Sequence, residues 1–156
     1  LISNRGANGI DGVISTGIGV SSSSGGPCLV LIGDVAAVHD IAGLVAAGRL
    51  QSNVVIVVID NGGGAIFSFL PVAKEIDSDR FDALFTSPHH TNLIGIASSA
   101  GIETEVIEST SDIEKVLGRA FNSAGPSLFL CSTSVEETVK AYEDIRSGFQ
   151  ASFYEG

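Results

Sequence analysis

Two oxygen-bearing side chains, Asp34 and Asn61, stand just beyond apolar runs, at residues 28–32 and 54–59. A carboxylate, a side-chain amide and a nearby backbone carbonyl are hard ligands suited to Mg²⁺, which completes such a set with phosphate oxygens and water. Gly62, Gly63 and Gly64 follow at once and let the backbone approach an ion and turn a carbonyl towards it. A helix starting near Ala36 points its amino end at the same place and favours a phosphate there. The competing reading is that Asp34 only caps a helix and the glycines only make a turn. A dinucleotide-binding loop is a further competitor, yet no G-x-G-x-x-G joins strand to helix, and Gly17-Ile18-Gly19 falls inside a helical pattern.

The elements that must hold these groups alternate along the chain. Runs 28–32 and 54–59 are continuously apolar, as buried parallel strands are when helices cover both faces of a sheet. Residues 36–47 read as a helix closed near Gly48. Upstream, 11–22 reads as a small-residue helix and 21–26 as a solvated loop. Downstream, 93–100 reads as a helix, 104–107 as a short strand and 127–131 as another buried strand. Ser111 with Glu114, and Ser134 with Glu137, form capping boxes for two helices. The first carries the stripe Ile113, Val116, Leu117, Ala120 and Phe121. The last carries Val135, Val139, Tyr142, Ile145, Phe149 and Phe153, read as core packing. The expected fold is α/β, doubly wound, with a mostly parallel sheet and helices on both faces. Ligands of such sheets bind beyond the carboxyl ends of the strands, where Asp34 and Asn61 fall.

Composition bounds the rest. With 156 residues, 44% apolar and 17% charged, residues 1–156 read as a single domain. The formal charge of −10, from 8 basic and 18 acidic residues, disfavours nucleic acid and anionic membrane surfaces and reads as solubility. No apolar run approaches a membrane span. Cys28 and Cys131 read as buried free thiols of a reducing, cytoplasmic setting. The three histidines, His39, His89 and His90, read as surface or hydrogen-bonding groups. A serine hydrolase is disfavoured because no G-x-S-x-G occurs. The opening Leu-Ile-Ser, without Met, reads as a fragment of a larger enzyme.

Gly33-Asp34, a spacer and Asp60-Asn61 resemble the thiamine-diphosphate motif, which begins Gly-Asp and ends Asn-Asn. Three segments narrow the resemblance: the run 4–12, opening Asn4-Arg5-Gly6-Ala7; Leu31-Ile32-Gly33-Asp34 with His39-Asp40; and the run 61–71, with Ala65-Ile66-Phe67. Together they resemble the C-terminal domain of the 2-succinyl-5-enolpyruvyl-6-hydroxy-3-cyclohexene-1-carboxylate synthases of menaquinone biosynthesis, most strongly over residues 3–88. That resemblance implies that Asp34, Asn61 and the Gly63 carbonyl hold Mg²⁺, with Mn²⁺ as an alternative ion. It implies backbone contacts from Gly33, Val35 and Ala36 to the diphosphate. Ile66 would hold thiamine diphosphate bent, with Phe67 beside it, and Asn8 and Ile10 would lie near the cofactor rings. Arg5 would bind a substrate or intermediate carboxylate, a task suited to a guanidinium.

The implied reaction decarboxylates 2-oxoglutarate and adds the succinyl unit to isochorismate. The alternatives are a carboligase of the acetolactate synthase type and a non-catalytic α/β remnant. In this family an N-terminal pyrimidine-binding domain of a partner subunit supplies the activating glutamate, so a homo-oligomer is expected. The isolated chain is expected to be inactive and to expose an unusually apolar surface. One departure is Asp60, which occupies a position usually held by Asn.

Overall fold

A computed structural model describes residues 1–4 and 9–154, with side chains to residue 149. In chain order the regular elements are α1 (Val13–Ser24), β1 (Cys28–Gly33), α2 (Asp34–His39), α3 (Ile41–Leu50), β2 (Val54–Asp60), α4 (Ser78–Phe81), α5 (Leu93–Ser99), β3 (Glu103–Ile107), α6 (Ile113–Asn122), β4 (Ser127–Ser132) and α7 (Val135–Tyr154). Short 3₁₀ segments occupy Ala65–Phe69, Pro71–Lys74 and Thr110–Asp112, and a π-helical turn occupies Asp82–Thr86. The chain forms two compact units, Leu1–Asp60 with Thr91–Ser132, and Asn61–His90 with Thr133–Gly156.

The first unit holds the sheet. Its order is β1-β2-β4-β3, and every pairing is parallel. The expected α/β architecture is therefore present. β2, at the centre, is buried on both faces because its β-branched residues alternate between two cores. Val54, Ile56 and Val58 join Ile14, Leu44 and Ala97 on one side. Val55 and Val57 join Phe129, Val116 and Ala120 on the other. Burying each such aliphatic side chain contributes roughly 1.5–3 kcal/mol. Coverage is less complete at the edge, where Val30 and Ile32 are buried but Leu29 and Leu31 are exposed. The uninterrupted apolar run of β1 implied two covered faces, and only one is covered.

Several local expectations change. The single helix expected over 36–47 is two helices, α2 and α3, broken at Asp40. Asp40 leaves the helical conformation there, and its side chain bonds elsewhere, a competition typical of aspartate. Closure comes at Gln51, in the left-handed region at φ 50°, rather than at Gly48. Gly48 serves a close approach instead, since a Cβ there would lie 1.9 Å from the Ala100 carbonyl oxygen. The serines expected in a loop form the last turn of α1, where Ser21 is buried and its hydroxyl donates to the Gly26 and Asn53 carbonyls. The Ser111–Glu114 box does not form. Ser109 Oγ accepts from Ser111 N–H and starts a 3₁₀ turn, and α6 begins only at Ile113. Of that helix's stripe, Val116 and Ala120 are buried, whereas Phe121 is exposed.

In the second unit the Ser134–Glu137 box forms reciprocally. Glu137 N–H donates to Ser134 Oγ and Ser134 N–H to Glu137 Oε2, both at 3.0 Å, satisfying two backbone donors at the start of α7. The aromatic stripe of α7 is not core, contrary to expectation. Tyr142, Ile145 and Phe149 are exposed, because the segment of this unit packed on α7 is the short Ala65–Phe69 turn. Phe69 and Tyr142 meet there, with ring centroids 4.6 Å apart. Phe153 lies outside the described side chains.

Candidate functional site

In the first unit, the candidate groups lie at the carboxyl ends of β1 and β2. β1 ends on Gly33 in extended conformation, and Asp34 opens α2 directly. Helix start and strand end thus abut two residues earlier than the expected start near Ala36. This places the backbone N–H groups of Asp34, Val35 and Ala36 in the first turn, where amides lack intrahelical acceptors. Asp34 is 2% exposed, and its charge suits the positive end of the helix. Around Gly33 there is open space, with no atom within 4 Å of a position a Cβ would take.

The register aligns Gly33 with Ile59, so Asp34 and Asp60 follow at neighbouring strand ends. Their carboxylates offer oxygens within 4.8 Å of one another. Like charges at that distance repel by roughly 3 kcal/mol at an effective dielectric of about 20, a cost that a divalent cation would offset. Sequence reasoning set Asp60 aside as a departure from the motif. Its position directly after the apolar run 54–59 was the available signal that it stands at the same end of the sheet as Asp34.

The second unit begins with Asn61, whose Oδ1 is buried without a hydrogen-bond partner among the described residues. Leaving such an acceptor unsatisfied costs about 1–3 kcal/mol. Gly62 and Gly63 follow with φ 83° and 149°, conformations in which a side chain is strained. At Gly63 a Cβ would also fall 2.6 Å from the Thr86 carbonyl oxygen. That same oxygen accepts from Gly64 N–H at 2.7 Å, and Thr86 Oγ1 donates to Asp82 Oδ1 at 2.6 Å. Thr86 is therefore the brace of the glycine turn, a role for which the sequence carried no motif. Beyond the turn, Ile66 is 72% exposed and Phe67 is 39% exposed, with Phe67 near Phe85 at a centroid distance of 6.1 Å.

Each unit therefore presents hard oxygen donors of the kind Mg²⁺ takes: Asp34 and Asp60 in the first, Asn61 Oδ1 in the second. Ile10 is half-buried in a turn before α1. Arg5 and Asn8 lie outside the described residues. His39 pairs with Asp11, Nδ1 to Oδ1 3.6 Å; His90 is exposed and His89 half-buried. Both cysteines are free and half-buried rather than fully buried, and burial pushes both thiols above their ordinary pKa. An apolar groove of about 660 Å³ runs along β1, lined by Val13, Val20, Leu29 and Leu31 among others. Among the described residues no helix is long and apolar enough to cross a membrane.

Residues 2–131 match the family described as thiamine pyrophosphate enzyme, C-terminal TPP binding domain, and the chain belongs to it. Two of its relatives in sequence carry the same name. A 2-succinyl-5-enolpyruvyl-6-hydroxy-3-cyclohexene-1-carboxylate synthase of Chlorobium limicola is 36% identical over 148 residues, 95% of this chain and 25% of that protein. The enzyme of the same name from Myxococcus xanthus is 41% identical over 101 residues, 65% of this chain and 17% of that protein. The resemblance seen in the motifs is thus borne out, and it extends well past residue 88. The chain spans a quarter or less of the length of these two relatives. Benzoylformate decarboxylase from Polynucleobacter necessarius shares the fold, with a TM-score of 0.70 at 13% identity over 83% of this chain and 24% of that one.

Proposed function

We propose that this chain is the diphosphate- and metal-binding domain, residues 1–156, of a larger thiamine-diphosphate-dependent synthase. That enzyme decarboxylates 2-oxoglutarate and adds the succinyl unit to isochorismate, a carboligase reaction of menaquinone biosynthesis. The reaction follows the names of the relatives. The observation that carries metal binding is the buried Asn61 Oδ1, without a partner among the described residues, an acceptor whose need a hard cation meets.

In this reading Asp34, Asn61 Oδ1 and the Gly63 carbonyl hold Mg²⁺ or Mn²⁺, and Asp60 adds a second carboxylate beside Asp34. The first-turn amides of Val35 and Ala36 bind the diphosphate, and Gly33 leaves it room. Thiamine diphosphate, when bound, supplies the electron sink for loss of CO₂ from a 2-oxo acid. Ile66, exposed within a 3₁₀ turn, supports the bent cofactor, and Phe67 walls the same side. Asn8 and Ile10 flank the cofactor rings, and Arg5 binds a substrate carboxylate through a bidentate guanidinium. The activating glutamate comes from an N-terminal pyrimidine-binding domain of a partner subunit in a homo-oligomer. The 156-residue chain alone is accordingly inactive. The two free thiols fit a reducing, cytoplasmic setting.

Calorimetric titration of the chain with thiamine diphosphate tests the reading. Weak binding that requires Mg²⁺ and is lost in Asp34→Ala is expected. Binding that is independent of metal and unaffected by the substitution overturns the assignment.

A further inference from the structure

Helix α1 begins on Gly12, which has no side chain with which to cap it, and its first turn contains no acidic residue. The cap comes from elsewhere in the chain. Ser15 N–H donates to Asp40 Oδ2 at 2.9 Å, and Ser15 Oγ donates to Asp40 Oδ1 at 3.0 Å. Ser15 is the third residue of the helix, so its N–H is one of the donors that a helix start leaves unsatisfied. A carboxylate there also opposes the positive end of the helix dipole.

Asp40 is 6% exposed and stands at the break between α2 and α3. The surrounding chain makes room for its carboxylate, since a Cβ on Gly43 would come within 2.8 Å of Oδ1. The residues before α1 are tied to the same corner. Asn4 Nδ2 donates to the Asp11 carbonyl at 3.2 Å, and Asp11 pairs with His39, the neighbour of Asp40. Thr16 N–H and Oγ1 both donate to the Gly12 carbonyl. The Asp11–His39 pair is half exposed and weak on its own. The buried, doubly accepting Asp40 is the stronger anchor.

We infer that Asp40 is a positioning residue: its carboxylate caps α1 from the α2–α3 junction and so fixes the turn at residues 9–12, which leads into α1, beside the helix that Asp34 opens. Its functional consequence rests on the roles proposed for Arg5, Asn8 and Ile10, whereas the anchoring itself does not. The break that divides the expected long helix into α2 and α3 thereby acquires a purpose. It frees Asp40 from α2 and turns it towards α1.

The test is amide hydrogen exchange by mass spectrometry on the intact chain, with β2 as internal control, joined to titration with thiamine diphosphate and Mg²⁺. In Asp40→Ala, exchange over residues 11–16 is expected to accelerate about tenfold, the size of a lost cap, while β2 keeps its protection. Asp40→Asn can accept from Ser15 N–H through Oδ1 and donate to Ser15 Oγ through Nδ2. It is expected to stay within about threefold of the parent in exchange and in affinity. Gly43→Ala, which displaces the carboxylate without removing it, is expected to behave like Asp40→Ala. Unchanged exchange over 11–16 in Asp40→Ala, or equal acceleration in β2, overturns the inference. So does a parent chain that binds the cofactor measurably but no better than Asp40→Ala does. A parent that fails to bind at all sinks the proposed function instead, and the exchange data still decide whether Asp40 anchors α1.

Discussion

The two units solve the same problem, holding polar groups beside apolar ones, in opposite ways. In the first, β2 is enclosed on both faces and Asp40 is buried with its acceptors used. In the second, Ile66, Phe69, Leu70, Tyr142, Ile145 and Phe149 are exposed, and Asn61 Oδ1 is buried without a partner among the described residues. The central strand of a parallel sheet has neighbours on both edges and both faces, whereas a long helix packed on a short 3₁₀ turn does not. The contrast teaches that the first unit is closed at the centre of its sheet, although Leu29 and Leu31 stay exposed at its edge and Asn53 Oδ1 and Ser127 Oγ are buried without a partner among the described residues. The second carries groups whose needs are unmet within it, as expected of surfaces that receive a ligand or another protein.

Substitutions can break this contrast. The largest expected effect is in the first unit, where Phe129→Ala removes a fully buried ring from the centre of a core. It should cost about 3–5 kcal/mol in denaturant unfolding, while Ile145→Ser in the exposed stripe stays within about 0.5 kcal/mol. Equal costs would mean that α7 is as tightly packed as the sheet.

Two glycines sharpen the comparison at intermediate size. Gly63→Ala meets a positive φ and the Thr86 carbonyl, so a loss of roughly 1–3 kcal/mol is expected on thermal melting. Gly33→Ala meets open space in extended backbone and should leave stability within about 0.5 kcal/mol, yet weaken thiamine diphosphate binding in a titration. Unchanged binding would remove Gly33 from the proposed diphosphate contact.

The smallest effect concerns the thiols. Burial raises the pKa of Cys28 and Cys131, so the folded state favours the neutral form. Both should react with a disulfide reagent at pH 8 more slowly than the unfolded chain does. The associated stability is present below the unfolded thiol pKa and is lost as pH rises through the folded one. Reaction at the unfolded rate would show that the thiols are not shielded.

Much of the site was legible because it depends on neighbours in sequence. A continuously apolar run followed by Gly33-Asp34, or by Asp60-Asn61 and three glycines, announces a strand and a polar turn at its carboxyl end together. The helix break at Asp40 was not legible, since its cause is Ser15, 25 residues away. Nor was the brace at Thr86, because a backbone carbonyl leaves no trace in residue type. The α7 stripe misled for the converse reason: periodicity reports that a helix has an apolar face, but not what covers it.

Sequence alone thus determined the strand cores, the metal-capable side chains and the family, all matters of local pattern and residue chemistry. Tertiary structure decided which of those groups meet. The register of β1 on β2 brought Asp60 to Asp34, and the packing of α1 on α3 gave Asp40 its partner. Distances between residues far apart in the chain are set by the whole packed core, and no segment encodes them by itself.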